Sequence, residues 1–212
     1  VRLITKSQEP SELKAWKKAN PNGRYQDLDN SEAGKTTRQA IRKMALKEQF
    51  YLCAYCCKRI NKTNSNNEHI ASQHTAAHKS LDFANIVASC TTPSRCNQER
   101  GSKLLALTPL MAECETELRF YLSGKITGET ERAKQTVDIL GLDSPAIREE
   151  RRRMVDSLLY GCGMMPNELE PPDDDVLGIL VADLQQPDQN GQLEAFSPAL
   201  TNILKQLLKT KP

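Results

Sequence analysis

Two pairs of cysteines, separated by 33 intervening residues, constrain this 212-residue chain more than any other feature. Cys53-Ala-Tyr-Cys56 is a C-x₂-C knuckle, whose short spacing lets both sulfurs point at one ion from a tight turn. Cys90 and Cys96 form a second, looser C-x₅-C pair. Four thiolates satisfy the tetrahedral preference of Zn²⁺ and leave no position open, so the expected site is structural rather than catalytic. Cys57 competes with Cys56, and the x₂ spacing favours Cys56. Cys114 and Cys162 stand apart and read as buried thiols. The plainer alternative is seven reduced core cysteines. The segment around the pairs has few large apolar side chains, so a metal would contribute folding energy that its core lacks.

The setting expected for these cysteines is reducing and cytoplasmic. The opening VRLITKSQEP has no apolar signal segment, and no run of about 18 apolar residues exists to span a membrane. Charge is distributed unevenly. Residues 1–103 carry 18 Lys and Arg against 9 Asp and Glu, whereas residues 154–212 carry 3 against 9. A basic front half suits a polyanion such as nucleic acid, and an acidic back half suits a protein partner or is plain solvated surface.

The periodicity predicts a mostly helical α+β chain. Residues 1–9 read as a short strand or extended arm. Pro10-Ser11 opens a helix that ends at the Asn20-Pro21-Asn22-Gly23 turn. A second helix is expected from about Ser31 to Phe50. Residues 61–67 form a polar turn and 85–89 a short β-branched strand. Residues 104–160 read as helical throughout: an apolar stripe of Leu110, Cys114, Leu118, Tyr121 and Leu122, a helix to Leu140 stopped by Gly141, and another from Pro145 to Leu159. Arg148 and Arg151–Arg153 on the last of these read as a solvated face in preference to a phosphate patch. Gly161–Asp175 reads as a linker. Val176–Leu184 and the stretch after Ser197 are expected helices, the second either core or a groove-filler for a partner. The resulting segments are 1–50, 51–105, 106–160 and 161–212, the last a candidate docking region.

Glu68-His69 lies between the cysteine pairs, and Asn97 follows Cys96 directly. Glu68 and Asn97 offer hard oxygen ligands of the kind Mg²⁺ or Mn²⁺ selects. His69 can take a proton from water near neutral pH. Phosphodiester cleavage needs a general base and a divalent ion at the phosphate. His74 and His78 are either substrate contacts or bystanders.

The pattern CxxC, EHI, NIVASC, CN and a following Lys103 resembles the HNH endonuclease family. The resemblance implies a small zinc-stapled ββα-metal core with flanking helices. It implies His69 as general base, Asn85 as the residue that props the hairpin loop, and Glu68 and Asn97 as ligands of a catalytic Mg²⁺ or Mn²⁺. Lys103, or Arg100, falls where the family keeps a cation near the phosphate, and Arg95 and Arg100 are expected nucleic-acid contacts. The chain departs from the family in its wider second cysteine pair and in Ala71, where relatives carry a proline-containing segment. EPSELKAW, LKEQFYLCAYC and LTPLMAECETELRFYLSGKITGE further resemble the HNH subunit (PtuB) of Septu-type, retron-associated anti-phage systems. That resemblance implies an ABC/SMC-like ATPase partner of the PtuA type. It also implies, through the ATPase, a retron reverse transcriptase with its multicopy single-stranded DNA. The expected activity is metal-dependent cleavage of DNA or tRNA as a toxic effector. The alternative is a non-catalytic zinc module that binds nucleic acid or a partner.

Overall fold

The computed structural model describes residues 1–161, 163 and 173–209. Cys162 and most of the expected linker lie outside them. The N-terminal arm has no strand pairing. It lies against the core through Val1 and Ile4, and Ile4 N–H donates to Pro109 O at 2.8 Å. Lys6 Nζ then fastens it to the Glu48 carboxylate (2.6 Å) and to Ile86 O (2.7 Å).

Helix α1 spans Ser11–Ala19 and buries Leu13 and Trp16. Helix α2 spans Glu32–Glu48 and begins with a side-chain cap, Gly34 N–H to Ser31 Oγ at 3.0 Å. Its inner face carries Thr37, Ile41, Ala45 and Leu46 at helical spacing, all buried. A fully buried Ile41 or Leu46 contributes roughly 1.5–3 kcal/mol. Buried Gln49 ends α2 with all its hydrogen bonds satisfied. Its Nε2 donates to Leu52 O and Ala88 O, and its Oε1 accepts from Ala88 N–H. One amide therefore fixes the end of α2 to the cysteine knuckle and to the next sheet.

That sheet is the antiparallel pair β1 (Ser65–His69) and β2 (Ile86–Cys90), with His69 opposite Ile86 and Ser65 opposite Cys90. The expected polar turn is shorter than 61–67, because β1 takes in Ser65, Asn66 and Asn67. Asn61 Oδ1 closes the turn by accepting from Thr63 and Asn64 N–H. Such a polar strand is held from outside: Arg42 of α2 donates to Ser65 O at 2.6 Å. Short helix α3, Asn97–Arg100, follows β2 and completes a strand–strand–helix unit.

The expected helix over 104–130 is absent. Instead β3 (Leu118–Phe120) and β4 (Ile126–Gly128) form a hairpin, preceded by a 3₁₀ turn at Ala112–Glu115. Leu118 and Phe120 point inward and Arg119 outward, a period of two over three residues that is too short to stand out in sequence. Leu122, read as part of the helical stripe, is 46% exposed. Gly124 turns the hairpin at φ +77°, and a Cβ there would meet Arg148 O at 2.1 Å. Helices α4 (Glu131–Ile139) and α5 (Pro145–Gly161) follow near their expected places. Arg151 does not belong to a solvated face: it is 2% exposed and its Nε donates to Gly124 O.

Helix α6 spans Asp174–Leu184 and α7 Ser197–Lys209. α7 is core, with Ala199, Leu200, Ile203 and Leu204 buried. One continuous apolar cluster runs from Val1 through the β1–β2 unit and the hairpin to Ile203. Among the described residues, no helix is long and apolar enough to cross a membrane.

Candidate metal centre and active site

Cys53, Cys56, Cys90 and Cys96 converge as buried free thiols whose sulfurs all lie within 4.8 Å of one another. Cys53 Sγ is 3.8 Å from Cys96 Sγ, and Cys56 Sγ is 3.9 Å from Cys90 Sγ. A tetrahedron with Zn–S bonds of ~2.3 Å has sulfurs about 3.8 Å apart, so the donor set fits structural zinc. The four crowded sulfurs share protons unevenly: hydrogen bonds among them push the Cys56 and Cys96 thiols well above the usual range and hold Cys90 below it, and Cys53 is lowered as well. A dication is what allows four such thiolates to coexist. Cys57 is buried outside this set, as the x₂ spacing favours. Cys114 is 1% exposed, and burial pushes its thiol up to about 12. Cys96 itself sits at φ +56°, a strained conformation for a non-glycine residue, and directly precedes α3.

Arg95 is 4% exposed, with one nitrogen on Glu150 at 2.7 Å and with Nε and Nη1 buried and unpartnered. Burial opposes its charge, while Glu150 and the Cys56 and Cys90 thiols support it. Its place is beside the sulfur cluster, as a counter-charge, and not on a surface that nucleic acid reaches.

Arg100 also departs from expectation. It is 1% exposed and fully engaged. Its Nη1 donates to Glu68 Oε1 (2.5 Å), Tyr55 OH (3.1 Å) and His69 O (2.9 Å). Nη2 donates to Ile70 O (2.5 Å) and Nε to Lys103 O (2.9 Å). An arginine held at five points is an internal brace, not a phosphate contact. The Lys103 side chain is exposed.

Tyr55, between the knuckle cysteines, is 2% exposed and donates its hydroxyl to Glu68 Oε1 at 3.1 Å. The knuckle therefore reaches the Glu68 carboxylate directly. Burial pushes the Glu68 carboxyl up, against Arg100, Tyr55 and Asn97, which hold it down. Asn97 thus meets Glu68, yet its own Oδ1 is buried without a hydrogen-bond partner. It is the amide N–H that faces Glu68, and the unpartnered oxygen and the carboxylate are hard donors of the kind a divalent cation takes.

His69 ends β1 and is 6% exposed. Its Nε2 lies 2.9 Å from Ser80 O, a carbonyl that can only accept, so Nε2 carries the proton. Nδ1 then presents its lone pair, toward Gln73 Nε2 at 3.2 Å. The Tyr25 ring meets the imidazole edge-on at 4.7 Å. Burial lowers the His69 pKa, Ser80 opposes this, and Arg38 and Arg100 lower it further. Asn85 closes the loop between the strands: its Oδ1 accepts from Ala71 N–H at 2.7 Å, and its Nδ2 donates to Ala71 O and Lys79 O. His74 and His78 are exposed on that loop.

Sequence reasoning missed Tyr55, Gln73, Ser80 and Tyr25. The position of Tyr55 inside the knuckle was the one available signal: Tyr25 comes from a distant segment, and Ser80 and Gln73 reach His69 from a loop without a motif.

No family model matches the chain. It is 25% identical over 126 residues to a Vibrio cholerae (serotype O1 biovar El Tor) protein described as "Retron Vc95 putative HNH endonuclease". The match covers 53% of this chain and 62% of that protein's length. The similarity is a distant homology to the protein so described.

Proposed function

We propose that this chain is a metal-dependent HNH-type endonuclease that cuts phosphodiester bonds of DNA or tRNA as the effector subunit of a retron-linked anti-phage complex. The observation that carries this reading is that one strand–strand–helix unit carries His69, with Nδ1 as its basic nitrogen, together with two hard oxygen donors, the Glu68 carboxylate and the unpartnered Asn97 Oδ1. His69 takes the proton of the attacking water at Nδ1, while Ser80 O holds the ring in the required tautomer. Asn85 keeps the loop that carries Ser80 closed on the end of β1. Glu68 and Asn97 would hold Mg²⁺ or Mn²⁺. When bound, the ion supplies Lewis-acid stabilisation of the charge developing on the phosphate. Exposed Lys103 would meet the phosphate backbone.

The test is cleavage of DNA and of tRNA by the complete complex in Mg²⁺ and in EDTA. Metal-dependent cuts, located by sequencing the product ends, are expected. Failure to cut any substrate in Mg²⁺ favours the non-catalytic zinc module instead.

The partner in this reading is an ABC/SMC-like ATPase of the PtuA type, through which the reverse transcriptase and multicopy single-stranded DNA connect. Helix α6 supports a docking face. Val176 and Ile179 are 41% and 61% exposed, beside exposed Asp173, Asp175 and Asp183. Deleting the whole acidic end would remove core helix α7 and confound the result, so point changes are the better probe. Val176→Asp with Ile179→Asp is expected to abolish co-purification of the ATPase and leave the melting temperature within a few degrees. Retained binding rejects α6 as the docking face.

A further inference from the structure

The Glu68 carboxylate is not a free negative charge. Arg100 Nη1 lies 2.5 Å from its Oε1, and the two side chains are 1% and 13% exposed. Arg100 is the charged group set directly against Glu68. The other candidate ligand, Asn97 Oδ1, is neutral. The two candidate ligands and the guanidinium set against them therefore sum to no net charge. Arg100 cannot turn away when an ion arrives, because Nη2 and Nε are held by Ile70 O and Lys103 O, and Nη1 itself also donates to His69 O. Each kind of contact matters here. The backbone carbonyls fix the guanidinium, and the guanidinium cancels the field that would draw in a dication.

Two unit charges a few ångströms apart in a partly buried site interact strongly, because the effective dielectric there is well below that of water. The attraction of Glu68 for a divalent ion is thus largely offset by repulsion from Arg100. Mg²⁺-type ions in protein sites commonly complete their charge with substrate phosphate rather than with more carboxylates. Building on the nuclease reading above, we propose that the divalent ion and the nucleic-acid phosphate enter this site together, each strengthening the other's binding, and that Arg100 is the positioning residue that enforces the coupling. The phosphate brings the negative charge that Arg100 has removed. Linkage makes the effect reciprocal: the ion favours nucleic acid as much as nucleic acid favours the ion.

The test is a Mn²⁺ titration followed by the electron paramagnetic resonance of the free ion. It uses purified His69→Ala protein, which keeps both ligands and leaves the probe uncut. The titration is run alone, with a short DNA duplex, and with a short RNA hairpin. A matched protein that also carries Glu68→Gln gives the Mn²⁺ held by nucleic acid or other surfaces. The expected result is Glu68-dependent Mn²⁺ binding about tenfold or more tighter with at least one nucleic acid than without. Glu68-dependent binding of equal affinity in all three conditions overturns the coupling and leaves the ligand assignment standing. Identical curves with and without Glu68→Gln overturn the ligand assignment itself, and the coupling with it. Arg100→Gln adds a direct check: it should tighten Mn²⁺ binding in the absence of nucleic acid and shrink the nucleic-acid effect. If that variant does not fold, as judged by circular dichroism, the comparison with and without nucleic acid decides the matter alone.

Discussion

His69→Ala protein is expected to cleave nucleic acid about 10²- to 10⁴-fold more slowly than the unmodified chain, in the range that removal of a general base gives. The expectation follows from the tautomer. Because Ser80 O takes the Nε2 proton, Nδ1 is available as a base without rearrangement of the ring. Gln73 is the group facing it, and a single amide is displaced by water more easily than a backbone strand. The same burial that positions the imidazole keeps it neutral: its pKa lies below the usual 6.5. The acid limb of the cleavage rate should accordingly fall below pH 6.5, since the base loses activity only once it is protonated in the folded protein. The stability effect has the matching sign. The unfolded chain binds a proton to this histidine at a higher pH than the folded chain does, so its contribution to stability is present above the unfolded value and declines as pH falls below it. Zinc content should be unchanged in His69→Ala, because His69 is not one of the four converging thiol ligands. Cleavage at the unmodified rate would remove His69 from the mechanism.

The parts of the site that are legible in sequence are those whose chemistry is local. The C-x₂-C knuckle, the adjacent Glu68-His69 and the contiguous Cys96-Asn97 each place two useful groups within a few residues. Apart from the Lys103 carbonyl, the partners of Arg100 are not local: Tyr55 lies 45 residues away, Glu68 32 and Ile70 30. In sequence a charge within a basic half reads as surface, and only the fold turns it into a buried brace. Arg95 is the same case, drawn inward by the sulfur cluster and Glu150. The β3–β4 hairpin was hidden for another reason. Three alternating residues cannot outweigh an apolar stripe that also fits a helix, and the tight contact of Gly124 with α5 is set by tertiary packing. The amphipathic last helix was readable as a helix, but whether its stripe faced core or partner depended on the hairpin against which it packs. Asn202 of α7 donates to Leu118 O and accepts from Phe120 N–H.

Loss of zinc is expected to have the largest effect on the fold and to abolish cleavage with it. The four thiols are buried, and the C-x₂-C turn, β2 and the start of α3 converge on them. Structural zinc in small sites contributes apparent free energies of ~10–16 kcal/mol. Here an apolar cluster outside the site would retain part of the fold, so a loss of about 5 kcal/mol is the reasonable expectation. For a chain of this size that corresponds to a fall in melting temperature of roughly 10–20 °C. Cys56→Ser should show it, with zinc by elemental analysis falling from one ion per chain toward none. Cys57→Ser should not, because Cys57 is buried beside the cluster without joining it. Equal melting temperatures for Cys56→Ser and Cys57→Ser would reject the four-cysteine site. The activity should follow the zinc for a separate reason. Tyr55 lies between two zinc ligands and donates its hydroxyl to Glu68, so a loosened knuckle releases the carboxylate. Tyr55→Phe isolates that link. It keeps the ring and all four cysteines but removes the hydroxyl from Glu68, so cleavage should fall while zinc content stays at one ion per chain.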